Sequence, residues 1–270
     1  MSKRKYFEVQ NLSAGYGNKE IVHHISFDIE PHTLTALIGP NGCGKTTLLK
    51  SIINLLDYQG KCLLHGENMK EFTVRKLAQK ISYIPQQSGI HVSMSVLDVV
   101  LMGYNPVLKL LERPNKKQKQ RAKTAIASVG LSEYMNKDYL TLSEGQKQLV
   151  LLARTMIEDT DLLILDEPDS ALDFQNRYKI LRLLKQMIEN EEKAGVLCIH
   201  NPEMALEFCQ QIIVMKEGER IDVLHPQTDS MERMEHALRK IYGNVSLVKC
   251  TDRKDCEHLV LLWEGETCVQ

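Results

Sequence analysis

The sequence predicts an α/β fold: a mixed sheet with helices on both faces, an antiparallel β subdomain and an inserted all-helical segment. Three observations support this prediction. Short apolar runs at 34–38, 162–165 and 195–199 are typical of parallel strands that are buried on both faces. Residues 6–30 alternate between apolar and polar side chains, as strands joined by a hairpin do. Residues 94–155 instead carry apolar side chains at helical spacing, which predicts a region of helices without strands.

The composition is that of an ordinary globular protein, with 43% hydrophobic and 26% charged residues among 270. The 34 Lys and Arg residues balance 35 Asp and Glu residues, and the net charge of -1 argues against nucleic acid or an anionic membrane as a partner. A basic cluster within 109–121 has no interleaved aromatic residues, so we interpret it as a solvated face. No apolar run is long enough to span a bilayer, and none opens the chain as a secretory signal would. The seven cysteines are scattered without a C-x-x-C pair, which indicates reduced thiols in a cytosolic protein.

The first third of the chain predicts strands, one helix and then further short elements. Strands are expected at 6–12 and 21–29 around a turn at 14–18, a buried strand at 34–38, a helix at 46–56, short strands within 60–67, a helix at 73–80 and a strand at 81–84. Pro31 and His32 separate the second strand from the buried one, since proline and a following polar residue favour a break in the chain.

In the rest of the chain, the pattern predicts the helical segment, then further buried strands, and finally a tail. Helices are expected at 95–103, 116–129, 132–135, 146–156 and 177–187, strands at 162–165, 195–199, 211–215 and 219–223 with a turn at 216–218, and in the tail a helix near 231–242 with strands at 245–250 and 257–263. Ser95 is a typical cap for the first of these helices. We expect one domain whose core comprises 1–87 and 156–225 with the antiparallel subdomain at its N-terminus, a helical subdomain at 88–155 and a C-terminal extension at 226–270.

A glycine-rich stretch lies between the buried strand 34–38 and the first helix. It runs Gly39-Pro40-Asn41-Gly42-Cys43-Gly44-Lys45-Thr46-Thr47 and matches G-x-x-x-x-G-K-[ST] in a strand–loop–helix context. The glycines let the backbone N–H groups turn inward on phosphate oxygens at the positive end of the helix. Lys45 is placed to reach the β- and γ-phosphates and the Thr46 hydroxyl to ligate Mg²⁺. The alternative, a glycine turn that feeds a core helix, leaves most of the pattern unexplained, so the stretch predicts that a nucleoside triphosphate binds here.

Two adjacent carboxylates, Asp166 and Glu167, follow the apolar run 162–165. Open α/β sheets bind ligands at the carboxyl ends of their strands. Asp166 can bind the metal of a magnesium nucleotide, directly or through water. Glu167 can orient or deprotonate an attacking water. The alternative is one carboxylate that caps a helix beside a second that is exposed.

Two further side chains have both a functional and a structural interpretation. His200 ends the run 195–199 and is a candidate sensor of the γ-phosphate, or else a structural hydrogen-bonding histidine. Tyr16 stands between glycines at a hairpin, where it is either a platform for an adenine ring or a turn residue that packs on a neighbour.

With these residues assembled, the chain resembles an ATP-binding-cassette (ABC) transporter ATPase over nearly its whole length. Leu142-Ser143-Glu144-Gly145-Gln146-Lys147-Gln148 is similar to the family signature LSGGQ, with Glu144 in place of the first glycine. Gln86 stands in the position of the Q-loop glutamine, Ser170-Ala171-Leu172-Asp173 in that of the D-loop, His200 in that of the switch histidine and Tyr16 in that of the adenine-stacking aromatic residue. Asn201-Pro202 departs from the acidic residue that usually follows the histidine. These motifs occur in the order that is typical of the family.

The resemblance implies a P-loop NTPase core with an inserted all-helical signature subdomain. It also implies that two such chains pair head to tail with each ATP between the loop of one and the signature of the other. Ser143, Gly145 and the helix that begins near Gln146 would then act on the γ-phosphate bound by the partner, and Asp173 would bridge the two nucleotide sites. Glu144 is expected to face solvent.

The resemblance also implies the roles of the catalytic residues. Glu167 would be the general base, His200 the γ-phosphate contact and Gln86 a link between Mg²⁺ or water and a partner subunit. ATP and Mg²⁺ are the expected cofactors, with Thr46, Gln86 and Asp166 as candidate metal ligands.

The residues 95–103 and 238–243 are similar to the ATPase subunits of importers of iron–siderophore complexes, haem and cobalamin. Zinc and manganese importers share much of the same pattern. This implies a homodimer with two membrane-spanning permease subunits and, through them, a substrate-binding protein, at the cytoplasmic face of the cell membrane. A soluble ABC ATPase of iron–sulfur cluster assembly is an alternative because it too has one cassette. A non-hydrolysing regulator would be expected to lack Glu167 or His200, and both are present.

Overall fold

The computed structural model describes residues 5–86 and 89–265. The strands are β1 (Phe7–Tyr16), β2 (Lys19–Ile29), β3 (Thr33–Ile38), β4 (Tyr58–Leu64), β5 (Glu67–Asn68), β6 (Ile81–Ile84), β7 (Leu162–Asp166), β8 (Ala194–Cys198), β9 (Gln211–Lys216), β10 (Glu219–Leu224), β11 (Val245–Thr251) and β12 (Glu257–Trp263). The helices are α1 (Lys45–Ile52), α2 (Val74–Lys80), α3 (Val96–Leu101), α4 (Lys116–Ser128), α5 (Glu144–Thr155), α6 (Phe174–Asn190), α7 (Pro202–Phe208) and α8 (Met231–Tyr242). Within the described ranges, no helix combines the length and the apolarity that crossing a membrane requires.

The chain forms two compact units, of which the first comprises Met1–Lys70 and Val196–Gln270. One of its sheets has the order β2-β1-β4-β5, with antiparallel pairing between neighbours. In a second sheet β9 pairs in parallel with β3 and antiparallel with β10. Strand β3 is buried almost throughout, which explains its continuous run of apolar residues. A hairpin of β11 and β12 follows α8 in the C-terminal part.

The second unit comprises Glu71–Gly195. Strands β6 and β7 pair in parallel, and α2 to α6 belong to the same unit. Helix α4 begins with a capping box in which Asn115 and Gln118 satisfy each other's backbone N–H groups. Beside the two strands, the Lys80 ammonium pairs with the Asp161 carboxylate at 2.8 Å. The chain passes into the first unit within β8.

The predicted division into a core, a helical subdomain and an extension stays a prediction. The structure groups β6, β7 and α6 with the helices of 88–155, so the limits of its compact units differ from the predicted ones. The predicted boundary at residues 87 and 88 lies outside the described residues.

Two predicted elements of the first unit have the wrong length. Strand β1 continues to Tyr16, so the turn predicted at 14–18 is confined to Gly17 and Asn18. The pairing of β1 with β2 shifts register at several points, and these bulges allow β1 to continue to Tyr16. Because a bulge depends on the partner strand, the sequence of β1 alone does not predict it. Helix α1 ends at Ile52, four residues before the predicted end, because Asn54 adopts a left-handed φ of 56°.

Side-chain caps extend two helices of the second unit beyond the predicted limits. Helix α5 begins at Glu144 rather than Gln146, because Ser143 is its N-cap. Helix α6 begins at Phe174 rather than 177, because the Asp173 carboxylate accepts a hydrogen bond from the Asn176 N–H at 2.8 Å. Caps of this kind place the functional residues at helix N-termini.

Candidate active site

The glycine-rich loop joins β3 to α1, which confirms the predicted strand–loop–helix context. Gly44 is the N-cap of α1 with a left-handed φ of 103°. A side chain at Gly39 would place its Cβ 2.2 Å from the carbonyl oxygen of Met215 on β9. The loop therefore requires glycine at these positions, and its backbone is free to surround an anion.

Lys45 lies at the inside of this loop. Its side chain is buried, with the residue 6% exposed, and its Nζ donates hydrogen bonds to the carbonyl oxygens of Gly39 at 2.8 Å and Pro40 at 3.2 Å. The backbone of the loop therefore surrounds the ammonium group and holds it in place. A phosphate in the loop would meet a positive charge that is already positioned.

The remaining loop residues occupy the first turn of α1 and the tip of the loop. Thr46 is half-buried and Thr47 is buried, whereas Pro40, Asn41 and Gly42 are exposed. Cys43 is buried beside Lys45, and burial raises the pKa of its thiol, which keeps it in the less reactive protonated form. The Cys43 carbonyl accepts a hydrogen bond from the Gly218 N–H at 3.1 Å, so the β9–β10 turn helps to hold the loop. The contact that Cys43 makes with this turn is therefore a backbone contact.

The structure places His200 and Tyr16 in the same unit as the loop. His200 is exposed and follows Ile199, whose N–H donates to the Leu37 carbonyl at 3.3 Å near the carboxyl end of β3. Asn201, which departs from the family pattern, is the N-cap of α7 with Pro202 at the first helical position. The departure therefore has a structural explanation that leaves the histidine unchanged. Tyr16 ends β1 and is 52% exposed, as a stacking platform must be.

The carboxylate pair lies in the second unit, at the end of β7. Asp166 is 1% exposed, whereas Glu167 is half-buried and adopts a left-handed φ of 53°. Such a backbone is uncommon for a residue other than glycine and clusters at functional sites. The N–H and hydroxyl of Ser170 both donate to the Glu167 carbonyl, at 3.3 and 3.1 Å, and hold the turn.

Gln86 contacts the candidate general base directly. Its Nε2 donates a hydrogen bond to Oε2 of Glu167 at 2.7 Å. The structure thereby brings together two of the predicted catalytic residues at a short hydrogen-bond distance.

The signature residues form the start of α5. Ser143 and Gln146 make a capping box, in which the Ser143 hydroxyl accepts from the Gln146 N–H and the Gln146 side chain accepts from the Ser143 N–H. Glu144 faces solvent as expected, with its side chain 68% exposed and paired with Lys147 at 2.7 Å. The substitution in the signature thus places its carboxylate away from the helix axis.

Gly145 packs against the D-loop of the same unit. A Cβ at this position would lie 2.8 Å from the carbonyl oxygen of Ala171, which is backbone and cannot move independently. Asp173 is exposed, and both its carboxylate oxygens bind Asn176, one through the N–H and one through Nδ2 at 3.0 Å.

We expect Gly145→Ala to be destabilising, because the added methyl group must displace the backbone at Ala171. Overpacking of this kind costs about 1–3 kcal/mol, so the melting temperature should fall and the ATPase rate should fall with it. Glu144→Ala is the matched control, since Glu144 is exposed and loses only its pair with Lys147. Thermal unfolding of both variants checks the prediction, and equal melting temperatures would contradict it.

The donors that could hold a metal are oxygens. Thr46 offers a hydroxyl, Gln86 an amide oxygen and Asp166 a carboxylate, and each of these groups is of the hard oxygen type that Mg²⁺ prefers. Among the described residues, no group of three or more His, Cys, Asp or Glu side chains is arranged to hold a metal ion.

The sequence predicted no role for Gln148, which ends the signature stretch, or for Arg154. Both lie on α5 and contact the segment that leads to Gln86. Gln148 donates to the Gln86 carbonyl at 2.9 Å and Arg154 to the Tyr83 carbonyl at 3.1 Å. The available signal was a polar residue, Gln148, directly before the apolar run 149–153 of a helix.

The phosphate loop and the carboxylates at the end of β7 define a P-loop protein that binds a nucleoside triphosphate. The chain belongs to the ABC transporter family, since residues 22–170 match the family model described as ABC transporter. It binds ATP and is an ATPase.

Individual relatives agree with this assignment. The petrobactin import ATP-binding protein FpuD of Bacillus anthracis is 30% identical over 79% of this chain and 79% of that protein. The manganese transport system ATP-binding protein MntB of Listeria monocytogenes is 33% identical over 78% of this chain and 86% of that protein. A solved metal-chelate type ABC transporter in an inward-facing conformation has a TM-score of 0.79 and 25% identity, covering 96% of this chain and 98% of that one.

Proposed function

We propose that the chain is the ATP-binding and ATP-hydrolysing subunit of an ABC importer for iron–siderophore complexes, haem or cobalamin. The observation that carries the proposal is the Gln86–Glu167 hydrogen bond in a chain that also has the full phosphate loop. It equips the protein for hydrolysis, and the petrobactin import protein among its relatives favours iron–siderophore uptake. Because another relative belongs to a manganese transport system, manganese is the second candidate cargo.

In this proposal each predicted site residue has a role in the binding or hydrolysis of ATP. The loop N–H groups and Lys45 hold the phosphates, Tyr16 stacks on the adenine and His200 contacts the γ-phosphate. Glu167 accepts a proton from the attacking water, and Gln86 keeps its carboxylate in place. Thr46, Gln86 and Asp166 would hold Mg²⁺, which when bound neutralises the charge that develops on the phosphate oxygens.

Head-to-tail pairing of two copies would supply the remaining contacts. The capping box uses the N–H of Gln146, while the first N–H groups of α5, on Glu144 and Gly145, lie at the positive end of its dipole. Helix α5 has 12 residues, so this end is suited to the γ-phosphate of a nucleotide bound by the partner. Asp173 is exposed at the N-terminus of α6, which supports its proposed role as a bridge between the two nucleotide sites. ATP would then join two copies, and hydrolysis would release them.

The transport pathway itself would lie in separate subunits. We propose two membrane-spanning permease subunits as partners, a substrate-binding protein reached through them, and the cytoplasmic face of the cell membrane as the location. In the second unit the loop after α3 offers a surface for a protein partner, because Leu110 and Leu111 are 93% and 94% exposed. Arg75 anchors this loop from α2 by donating to the carbonyls of Pro106 and Leu108 at 3.0 and 2.7 Å.

We expect the tagged chain, purified from its native host in mild detergent, to bring down a protein with many membrane-spanning segments, identified by mass spectrometry. The double variant Leu110→Asp and Leu111→Asp should lose that protein and keep ATP binding. Aspartate tolerates the left-handed φ of 67° at Leu111, so the loop should retain its shape. The control is Leu262→Asp, an exposed leucine of the other unit.

Recovery of only soluble scaffold proteins would contradict the importer and favour the ATPase of iron–sulfur cluster assembly. If the membrane protein is recovered, that complex is reconstituted in vesicles and supplied in turn with an iron–siderophore complex, haem, cobalamin and Mn²⁺. The compound whose uptake depends on ATP is the cargo.

A further inference from the structure

Helix α5 carries a buried amide side chain near its start. Gln148 is 5% exposed, and its Nε2 donates a hydrogen bond to the backbone oxygen of Gln86 at 2.9 Å. Its Oε1 is buried and has no hydrogen-bond partner within the described residues. The donation from Nε2 to the Gln86 carbonyl is therefore the contact that holds this amide in place.

The same chain of contacts continues to the general base. The side chain of Gln86 donates from Nε2 to Oε2 of Glu167 at 2.7 Å. Two consecutive hydrogen bonds therefore connect the signature helix to the catalytic carboxylate, one to the backbone of Gln86 and one from its side chain. A shift of α5 along or about its axis would move the Gln86 backbone and with it the amide that holds Glu167.

A second contact holds the segment 83–86 against α5. Arg154, six residues after Gln148, donates from Nη2 to the Tyr83 carbonyl at 3.1 Å. Arg154 is itself held by Glu158 at 3.2 Å. At about 1.5 Å per residue the two contacts are about 9 Å apart along the helix. The segment 83–86 is thus bound to α5 at both ends, which transmits a movement of the helix instead of absorbing it.

We propose that Gln148 is a positioning residue that couples the signature helix to the Gln86–Glu167 pair. When a nucleotide of the partner engages the N-terminus of α5, Gln148 sets the place of Gln86 and so the orientation of the base in its own chain. The inference rests on the proposed function, because it requires that the signature contacts a partner's nucleotide.

The first test is Gln148→Met in the full-length protein with ATP and Mg²⁺. Methionine keeps the length and volume of the side chain and removes the donor. We expect kcat to fall by roughly tenfold or more, since misplacing a catalytic group by about 1 Å costs about 10²-fold. KM for ATP and the melting temperature should stay near the wild-type values. Gln120→Met, at an exposed glutamine of α4, is the matched control and should retain wild-type kcat.

The deciding test combines Gln148→Met with Gln86→Ala. The alanine variant keeps the backbone oxygen to which Gln148 donates but lacks the side chain that holds Glu167. If Gln148 acts through that side chain, the double variant should have the kcat of Gln86→Ala alone. Losses that multiply would mean independent effects and would overturn the proposal, as would wild-type kcat in Gln148→Met.

If Gln148→Met does not fold, Gln148→Asn, which is one methylene shorter and stays polar, enters the same cycle. A wild-type protein that does not hydrolyse ATP would reject the proposed function, whereas an active wild type with an unaffected Gln148→Met rejects only this inference.

Discussion

Glu167→Gln is expected to abolish ATP turnover while ATP binding persists. The amide has nearly the shape of the carboxylate, and its oxygen can still accept the hydrogen bond that Gln86 donates at 2.7 Å. It cannot take a proton from water, and general-base catalysis contributes about 10²–10⁴-fold to the rate. We therefore expect kcat to fall by a factor in that range, measured as phosphate release at saturating ATP with Mg²⁺.

The same variant should trap the proposed dimer, because nucleotide that is bound but not cleaved continues to join the two copies. Light scattering after gel filtration with ATP checks this, with ADP as the comparison. Glu133→Gln, the same substitution at an exposed carboxylate of the second unit, is the control and should behave as wild type. A Glu167→Gln protein that turns over ATP near the wild-type rate would remove Glu167 from the role of base.

The elements that the sequence predicted well are those whose signal is local. The phosphate loop could be located because glycine, lysine and threonine in that order, after a run of buried residues, have one chemical explanation. The sequence also predicted the strand that ends in Asp166. It predicted the turn that contains Glu217 and Gly218, two residues with a left-handed φ. In each case neighbours in sequence carry the physical cause.

The features that were missed depend on partners distant in the chain. Gln86 lies 81 positions from Glu167 and 62 from Gln148, so neither hydrogen bond leaves a trace in a local pattern. The continuation of β1 to Tyr16 depends on its register with β2, which a strand does not encode alone. The early end of α1 depends on Asn54, whose side chain donates to the Met69 carbonyl at 2.8 Å.

The departures from the family pattern are explained by capping. Glu144 stands at the first position of α5, where a carboxylate is favourable to the helix dipole and reaches Lys147. Asn201 caps α7 through the Met204 N–H at 3.1 Å. Both substitutions therefore stabilise a helix N-terminus without removing Ser143, Gly145 or His200, so hydrolysis is compatible with them.

Lys45→Ala is expected to weaken nucleotide binding itself, in contrast to the loss of turnover alone at Glu167. The Lys45 ammonium is buried within the loop that would hold the phosphates. Hydrogen bonds to charged groups contribute about 1.5–3 kcal/mol each, which corresponds to roughly a ten- to hundredfold rise in the Kd of ATP. Equilibrium binding of a fluorescent ATP analogue, displaced by ATP, measures this change.

Lys45→Ala could also change the conformation of the loop, because Lys45 donates to the carbonyls of Gly39 and Pro40. A control must separate this effect from the loss of phosphate contacts. Lys50→Ala is the matched control, since Lys50 lies in the last turn of the same helix and is absent from the loop. It should keep the wild-type Kd. Adenosine, which lacks phosphates, should bind Lys45→Ala as it binds the wild type, because its proposed contact is the stacking platform of Tyr16. If ATP binds Lys45→Ala with unchanged affinity, the loop is not the phosphate site and the nucleotide assignment fails with it.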